Sequence, residues 1–400
     1  MRISRAATGG GPRLQLDRSV VPAILSTAGL VVAAVLSFNL LGGRLDLPLP
    51  GGGPVGGPAR TPNPSVVYTP PPEQRTEVRG TILFAKAGAI WAASGTQVTR
   101  LDGAGHDSSP VWAPNGSTIY FIETRTTNGR APFQGKDNTY TLDYPVVMRM
   151  GPDGGGRTLV HNGLFKLGGN DPRRQFFSWL VQPAVRPDGK LLALVSDAPQ
   201  PFRTDVTLSL LPTAGGQVTN LGLPETGSLG HNDPAWSPDG RRIVYTHNVS
   251  QAGVGTPRIA LYDVTTKRQR MLSQPGFAQP SYSPDGRYLV AVRTDGRGRD
   301  LVILDASNGS LVSRLTTDGG STAPVWSPDG RQVAFLRVDG QDIDLHVLTL
   351  STNGAFSVTE DKAVTTDSQL DGTSRPSWFM PPEMRASPSP SGSASPSTTP

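Results

Sequence analysis

The most constraining feature of this chain is a seven-residue phrase that keeps returning. It reads Pro234-Ala235-Trp236-Ser237-Pro238-Asp239-Gly240, then Pro280-Ser281-Tyr282-Ser283-Pro284-Asp285-Gly286, then Pro324-Val325-Trp326-Ser327-Pro328-Asp329-Gly330. Looser copies stand upstream, at Pro110-Val111-Trp112-Ala113-Pro114-Asn115-Gly116 and Pro183-Ala184-Val185-Arg186-Pro187-Asp188-Gly189. A truncated sixth copy, Pro376-Ser377-Trp378-Phe379, ends the series. Successive copies begin about 44 to 73 residues apart, a spacing at which each repeat is one supersecondary unit that buries its apolar faces only against its neighbours.

Each copy predicts a hairpin. Ser-Pro-Asp-Gly suits a type I turn: proline sets φ at the second position, aspartate accepts local backbone bonds, and glycine takes the exit conformation. A short strand carrying the aromatic residue precedes the turn. A second strand follows it, at Ile119–Ile122, Leu191–Val195, Ile243–Thr246, Leu289–Val292 and Val333–Leu336. These second strands are apolar at nearly every position, as in Leu191-Leu192-Ala193-Leu194-Val195. Without alternation, a strand is expected to be buried on both faces.

The repeats resemble those of the TolB-type (PD40-type) β-propeller, a relative of the WD-repeat family. The resemblance covers roughly residues 78–380. It implies an all-β, six-bladed propeller of four-stranded antiparallel blades, with strands A to D running outward from a central axis. The segments Thr81–Ala85, Ala89–Ala93 and Gln97–Leu101 then read as B, C and D of a first blade that lacks its A strand. The orphan Arg375–Phe379 supplies it, so the two ends of the β region are expected to close the ring and remove its open edges. Blades two to six run from Pro110, Pro183, Pro234, Pro280 and Pro324. Trp112, Trp236, Trp326 and Trp378 share one A-strand position, with Tyr282 and Val185 at the other two. All are expected to pack between blades. Asp188, Gly189, Asp239, Gly240, Asp285, Gly286, Asp329 and Gly330 are expected to build the turns.

Composition settles several classes. The 400 residues contain no cysteine, which excludes disulfides, thiolate metal sites and a lipid anchor on cysteine. The chain's net charge of +5 is spread out, with no long Lys/Arg block in the β region, which fits a solvated surface rather than a nucleic-acid site. Residues 1–19 are basic, and Val20 to Leu41 form an uncharged apolar run long enough to cross a bilayer. The arginine excess before this run predicts a single-pass signal-anchor with its N-terminus inside. A cleaved signal peptide is the competing reading, disfavoured by the length of the run. Residues 42–76, dominated by Gly and Pro, read as a spacer, 77–384 as the propeller, and 385–400, rich in Ser, Pro and Thr, as a disordered tail.

Strand direction decides where function can sit. A–B and C–D loops share a first face, which carries the repeated turns. B–C and D–A loops share the second. Blade two carries two insertions on that second face, Glu123 to Tyr144 and His161 to Gln182. They hold Phe133, Tyr140 and Tyr144 in one, and Phe176, Phe177 and Trp179 with Arg173 and Arg174 in the other. Aromatics interleaved with arginine suit a recognition surface, or they pin the insertions to the rim. Residues just before the A strands line the channel mouth on the same face: His106 and Asp107, His231 and Asp233, and Arg375. Two His-Asp pairs there suit a small polar ligand, but their spacing is no local metal motif, so no metal or cofactor is expected. Catalytic motifs are missing too. Gly319-Gly320-Ser321-Thr322-Ala323 fails as a nucleophile elbow at its last position. The expectation is therefore a non-enzymatic module that binds an envelope protein or ligand outside the cytoplasmic membrane. A propeller enzyme of lactonase, lyase or sugar-dehydrogenase type is the alternative, and cell-wall glycan binding a second one.

Overall fold

Six antiparallel sheets, each with strands in the order A-B-C-D, make up the ring in a computed structural model of the chain. The structure describes residues 67–68 and 77–385, apart from 103–104, 134, 200, 202–205, 225–229, 252–253, 296–297, 352–355 and 367. The expected membrane segment, most of the spacer and nearly all of the C-terminal tail lie outside the described residues.

In chain order, blade one holds β1 (Val67–Tyr68), β2 (Val78–Lys86), β3 (Ala89–Gly95) and β4 (Gln97–Arg100). Blade two is β5 (Asp107–Trp112), β6 (Ile119–Phe133), β7 (Lys136–Met150) and β8 (Thr158–Asn162), followed by a small hairpin of β9 (Leu164–Lys166) and β10 (Gln175–Phe177). Blade three is β11 (Val181–Val185), β12 (Leu191–Ser196), β13 (Thr207–Pro212) and β14 (Thr219–Asn220). Blade four is β15 (His231–Trp236), β16 (Arg242–Gln251), β17 (Val254–Asp263) and β18 (Arg268–Met271). Blade five is β19 (Phe277–Tyr282), β20 (Tyr288–Asp295), β21 (Gly298–Asp305) and β22 (Leu311–Arg314). Blade six is β23 (Ser321–Trp326), β24 (Gln332–Asp339), β25 (Asp342–Ser351) and β26 (Ser357–Ala363). The closing strand β27 (Ser377–Phe379) and a short helix α1 (Pro382–Arg385) complete the set.

The core is divided among the blade interfaces. Leu192 and Leu194 point toward blade two and join Ile122 and Val147. Ala193 and Val195, between them in sequence, point toward blade four and join Trp236 and Tyr245. Both faces of a B strand are thus covered, which is why these strands lack alternation. The same division recurs between blades four and five and between five and six.

The repeated turn has a fuller logic than the sequence alone suggested. In blade four the Ser237 hydroxyl donates to Asp239 at 2.5 Å and accepts from the Arg242 amide at 2.9 Å, while the Gly240 amide closes on the Ser237 carbonyl at 2.8 Å. Blades five and six repeat the arrangement with Ser283 and Ser327. Gly240, Gly286 and Gly330 all have φ between +67° and +73°, where a side chain is strained.

Closure is as expected. Ile82 stands opposite Trp378 in an antiparallel pair, so β27 supplies the A strand of blade one. The Trp378 indole donates to the Arg79 carbonyl at 2.8 Å, and Phe379 packs on Trp112 with ring centroids 5.5 Å apart.

Three expectations need correction. Val67–Tyr68, assigned to the spacer, pairs with β4 as a fifth outer strand, Val67 opposite Thr99. The outer edge of β4 is open, and a short apolar stretch inside Gly/Pro-rich chain answers it. The stretch from Glu123 to Tyr144, expected as a loop between B and C, is a continuation of both strands. Partners run without a break from Ile119 opposite Met150 to Phe133 opposite Lys136. Arg385, the first residue assigned to the tail, ends α1, where its Nε donates to the Met380 carbonyl at 2.6 Å.

Candidate binding face

The second face is built on the long β6–β7 ribbon, which rises from the middle of blade two. Leu142 on the ribbon is buried, although its neighbours Thr141 and Asp143 are exposed. The second insertion covers it. The Gln175 side chain donates to the Asn128 carbonyl at 3.0 Å, and the Arg130 amide donates to the Arg173 carbonyl at 2.7 Å. Two ion pairs cross the same seam, Arg130 with Asp171 at 2.7 Å and Arg174 with Asp137 at 2.9 Å. The two insertions are therefore one joined surface. Gly129 permits the contact, because a Cβ there would stand 2.4 Å from Leu142 and 2.9 Å from the Gln175 carbonyl oxygen. Asp171 is held below the usual carboxylate range by the Arg173 side chain, then by the Arg173 amide.

The aromatics divide between two places. Phe176 and Phe177 are stacked at 5.1 Å, and Trp179 meets Phe177 edge-on at 5.2 Å, with all three rings half-buried. Tyr144 instead packs into the core between blades one and two, while Tyr140 is half-exposed on the ribbon. Phe133 ends β6, and its side chain lies outside the described residues. Arg173 is exposed, with 71% of its side chain accessible.

The channel-mouth residues do not assemble as two His-Asp pairs. Counting back from the repeat proline, Asp107 matches His231, and Ser109 matches Asp233. Pairing across A and B says the same: Asp107 stands opposite Glu123 and His231 opposite His247. Asp107 is buried and gripped by both terminal nitrogens of Arg157, at 2.8 and 2.9 Å. His106 is exposed. His231 is buried between blades, stacked on Tyr245 at 5.2 Å and meeting His247 edge-on at 5.0 Å. Burial, then the charge of His247, drops His231 to about 3, so it is neutral at physiological pH.

A different set of residues rings the mouth. Ser109, Gln182, Asp233, Gln279 and Ala323 each precede the repeat proline and each have φ between +51° and +55°. A β-bulge falls at this place in every one of these A strands. The bulge turns the backbone amide toward the neighbouring blade. Gln182 accepts from the Asp233 amide at 2.8 Å and donates to its carboxylate at 3.1 Å. The Thr246 hydroxyl accepts from the Gln279 amide, and the Gln279 side chain accepts from the Ala323 amide and the Thr322 hydroxyl, each at 2.8 Å. Ser374 accepts from the Ser109 amide. Hydrogen bonds thus stitch blades around the axis. A Gln279→Ala variant should lose about 1–3 kcal/mol in urea denaturation, because two donors are left without their acceptor.

Arg375 stands among these residues as their cation. Its Nη1 donates to the Pro280 carbonyl at 3.1 Å, and its buried Nη2 has no hydrogen-bond partner among the described residues. Burial lowers its pKa, against the attraction of Asp233. Burial raises the Asp233 pKa, against Arg375, Thr246 and Gln182. Of the expected mouth residues, Asp233 and Arg375 are brought together, and His106, Asp107 and His231 are not. Gln182 and Gln279 act at positions whose signal, a polar residue just before each repeat proline, was present in the sequence. Among the described residues no group of three or more His, Asp and Glu side chains suits a metal ion, and no helix is long and apolar enough to cross a membrane.

Closed blades, interblade cores and hydrogen bonds from pre-proline residues to neighbouring blades define a six-bladed β-propeller with an elaborated second face. Residues 228–374 match the family described as "TolB beta propeller domain". The chain is 42% identical over 59 residues to the Tol-Pal system protein TolB of Alcanivorax borkumensis, a match covering 14% of this chain and 13% of that protein. The chain thus spans about an eighth of the length of that curated relative. Among solved structures, TolB from Acinetobacter baumannii superposes with a TM-score of 0.53 at 18% identity, covering 77% of this chain and 68% of that one. The structure described as a nidogen/laminin complex gives 0.51 at 13% identity, covering 74% and 97%. These two likenesses show the fold. The repeat and the domain matched over residues 228–374 make the propeller TolB-like.

Proposed function

We propose that this protein is a non-enzymatic binding module of the bacterial cell envelope that engages a protein partner with the second face of its propeller. The observation that carries this reading is the union of the two blade-two insertions into one surface. It is rigidified by backbone bonds and two ion pairs, and it presents half-buried aromatic rings beside arginine. Such rings offer large contact area at low entropic cost, the character of interface hot spots. The partly satisfied Arg375 guanidinium on the same face adds a donor for an acidic or carbonyl group. The relation to a protein named as part of the Tol-Pal system supports an envelope partner. In this reading Val20–Leu41 is a single-pass anchor and residues 42–66 hold the propeller away from the bilayer.

The test is crosslinking in cells followed by mass spectrometry. Wild type is compared with a variant in which residues 126–143 are replaced by Asn-Gly, the two-residue turn that best joins twisted strands, between the paired residues Arg125 and Tyr144. The truncated ribbon should leave the thermal midpoint within a few degrees and remove the principal crosslinked partner. An unchanged set of partners would place recognition elsewhere on the molecule.

A further inference from the structure

Blade four carries a row of nitrogen-bearing side chains toward the second face. In the register of its sheet, His231 on β15 stands opposite His247 on β16, and His247 stands opposite Arg258 on β17. Strand alternation turns His247 and Arg258 to the same side as Tyr245 and Ala260, which pack in the core between blades three and four. His231 joins them there, stacked on Tyr245 and edge-on to His247. The three side chains thus lie side by side across three strands.

Their nitrogens are largely unused. Both ring nitrogens of His231, Nδ1 of His247 and Nε of Arg258 are inaccessible and have no hydrogen-bond partner among the described residues. Buried polar atoms seldom lack a partner. His231 is 1% exposed, whereas His247 and Arg258 are half-buried, so the row meets solvent at its outer end. Arg258 forms no ion pair among the described residues, and its charge, after burial, lowers the His247 pKa. The wall of blade three that packs here is apolar, with Val181, Val195, Val206 and Leu208. Two acidic residues flank these strands and both are committed elsewhere. Asp197 accepts from the Trp179 amide at 2.8 Å, and Asp233 is turned to the axis, where Gln182 and Thr246 hold it.

We propose that this row is a binding site for a small oxyanion, a carboxylate or a phosphate, gripped by the Arg258 guanidinium and an N–H of His247, with His231 closing the inner end. A guanidinium fork fits either group, and a neutral imidazole supplies one N–H donor. The adjacent guanidinium repels a metal cation from the two histidines. The site lies between blades three and four and uses none of the residues of the blade-two surface, so it stands independently of the partner proposed there.

The full chain, in a nonionic detergent, is titrated by calorimetry with inorganic phosphate and with acetate, against sodium chloride at matched ionic strength. At least one oxyanion should bind with a Kd of about 1 mM or tighter. Comparison of the two distinguishes a phosphate site from a carboxylate site. With ring-labelled histidine, the NMR signal of His247, assigned through His247→Asn, should shift on saturation, and that of exposed His106 should not. Arg258→Gln should weaken binding about tenfold, the worth of one hydrogen bond to a charged group. It should leave the thermal midpoint within a few degrees of wild type, because no carboxylate is stranded. Arg268→Gln, which removes an exposed charge from the same blade, should leave the affinity unchanged. Failure of both oxyanions to saturate, an unmoved His247 signal, equal weakening by the two arginine variants, or capture of zinc in place of the oxyanion would each overturn the proposal.

Discussion

A Trp378→Ala variant should lose about 3–5 kcal/mol of stability, the range for deleting a large buried aromatic side chain. Trp378 is 7% exposed and packs with Ile82, Phe84 and Ala334 between blades one and six. Its indole also satisfies the Arg79 carbonyl. The effect should exceed that of the same change at Trp236, because β27 has only three residues and is held by pairing with β2 alone. Losing its anchor frees the strand, and the ring opens between blades six and one. Trp378→Phe keeps most of the apolar area and should cost no more than about half as much. Urea denaturation measures both. A loss below about 1 kcal/mol for Trp378→Ala would show that the ring holds without its closing strand.

The second large effect concerns Arg157. Its guanidinium meets Asp107 at 2.8 and 2.9 Å, Glu123 at 2.8 Å and Asp102 at 3.2 Å. Asp107 and Asp102 are almost wholly inaccessible, with 0% and 4% of their side chains exposed. Removing the shared cation strands buried negative charge, which typically costs about 3–5 kcal/mol. Arg157→Gln should therefore approach the effect of Trp378→Ala without touching the apolar core. The loss should depend on pH. Burial first, then the neighbouring Asp107 charge, raises Asp102 from 3.8 to about 7. The folded state thus binds this proton more tightly than the unfolded state. The stability tied to that proton is fully present below about pH 4 and is lost as pH rises through about 7. Glu123 works in the opposite sense, since Arg125 and Arg157 lower its pKa against desolvation. Without Arg157, Asp102 moves further up, so the variant should lose more stability relative to wild type at pH 8 than at pH 5. An equal loss at both values would mean that the cluster does not titrate with folding.

Much of the fold was legible because propeller repeats carry a local code. Ser-Pro-Asp-Gly sets each turn through bonds within the turn itself, and a strand apolar at every position announces neighbours on both sides. Even the closing strand was visible, as a sixth copy with no hairpin of its own. The blade-two ribbon was less legible. Residues Arg125 to Thr141 alternate polar groups and carry charge, so they look like a loop until cross-strand partners are known. Val67–Tyr68 failed for a similar reason, since two residues have no periodicity and only the open edge of β4 gives them a place.

The candidate sites separate along the same line. Residue type marked His106, Asp107, His231 and Asp233, but a bulge ahead of each repeat proline decides which side chain enters the channel. That bulge shifts register by one residue and sends Asp233 toward the axis and His231 into the blade interface. Local chemistry along the chain therefore determined the turns, the strands and the number of blades, because those depend on neighbours within a few residues. Which polar groups meet across the axis and which insertions join were decided only when distant blades came into contact. Those outcomes depend on side chains separated by tens to hundreds of residues, and no local pattern records them.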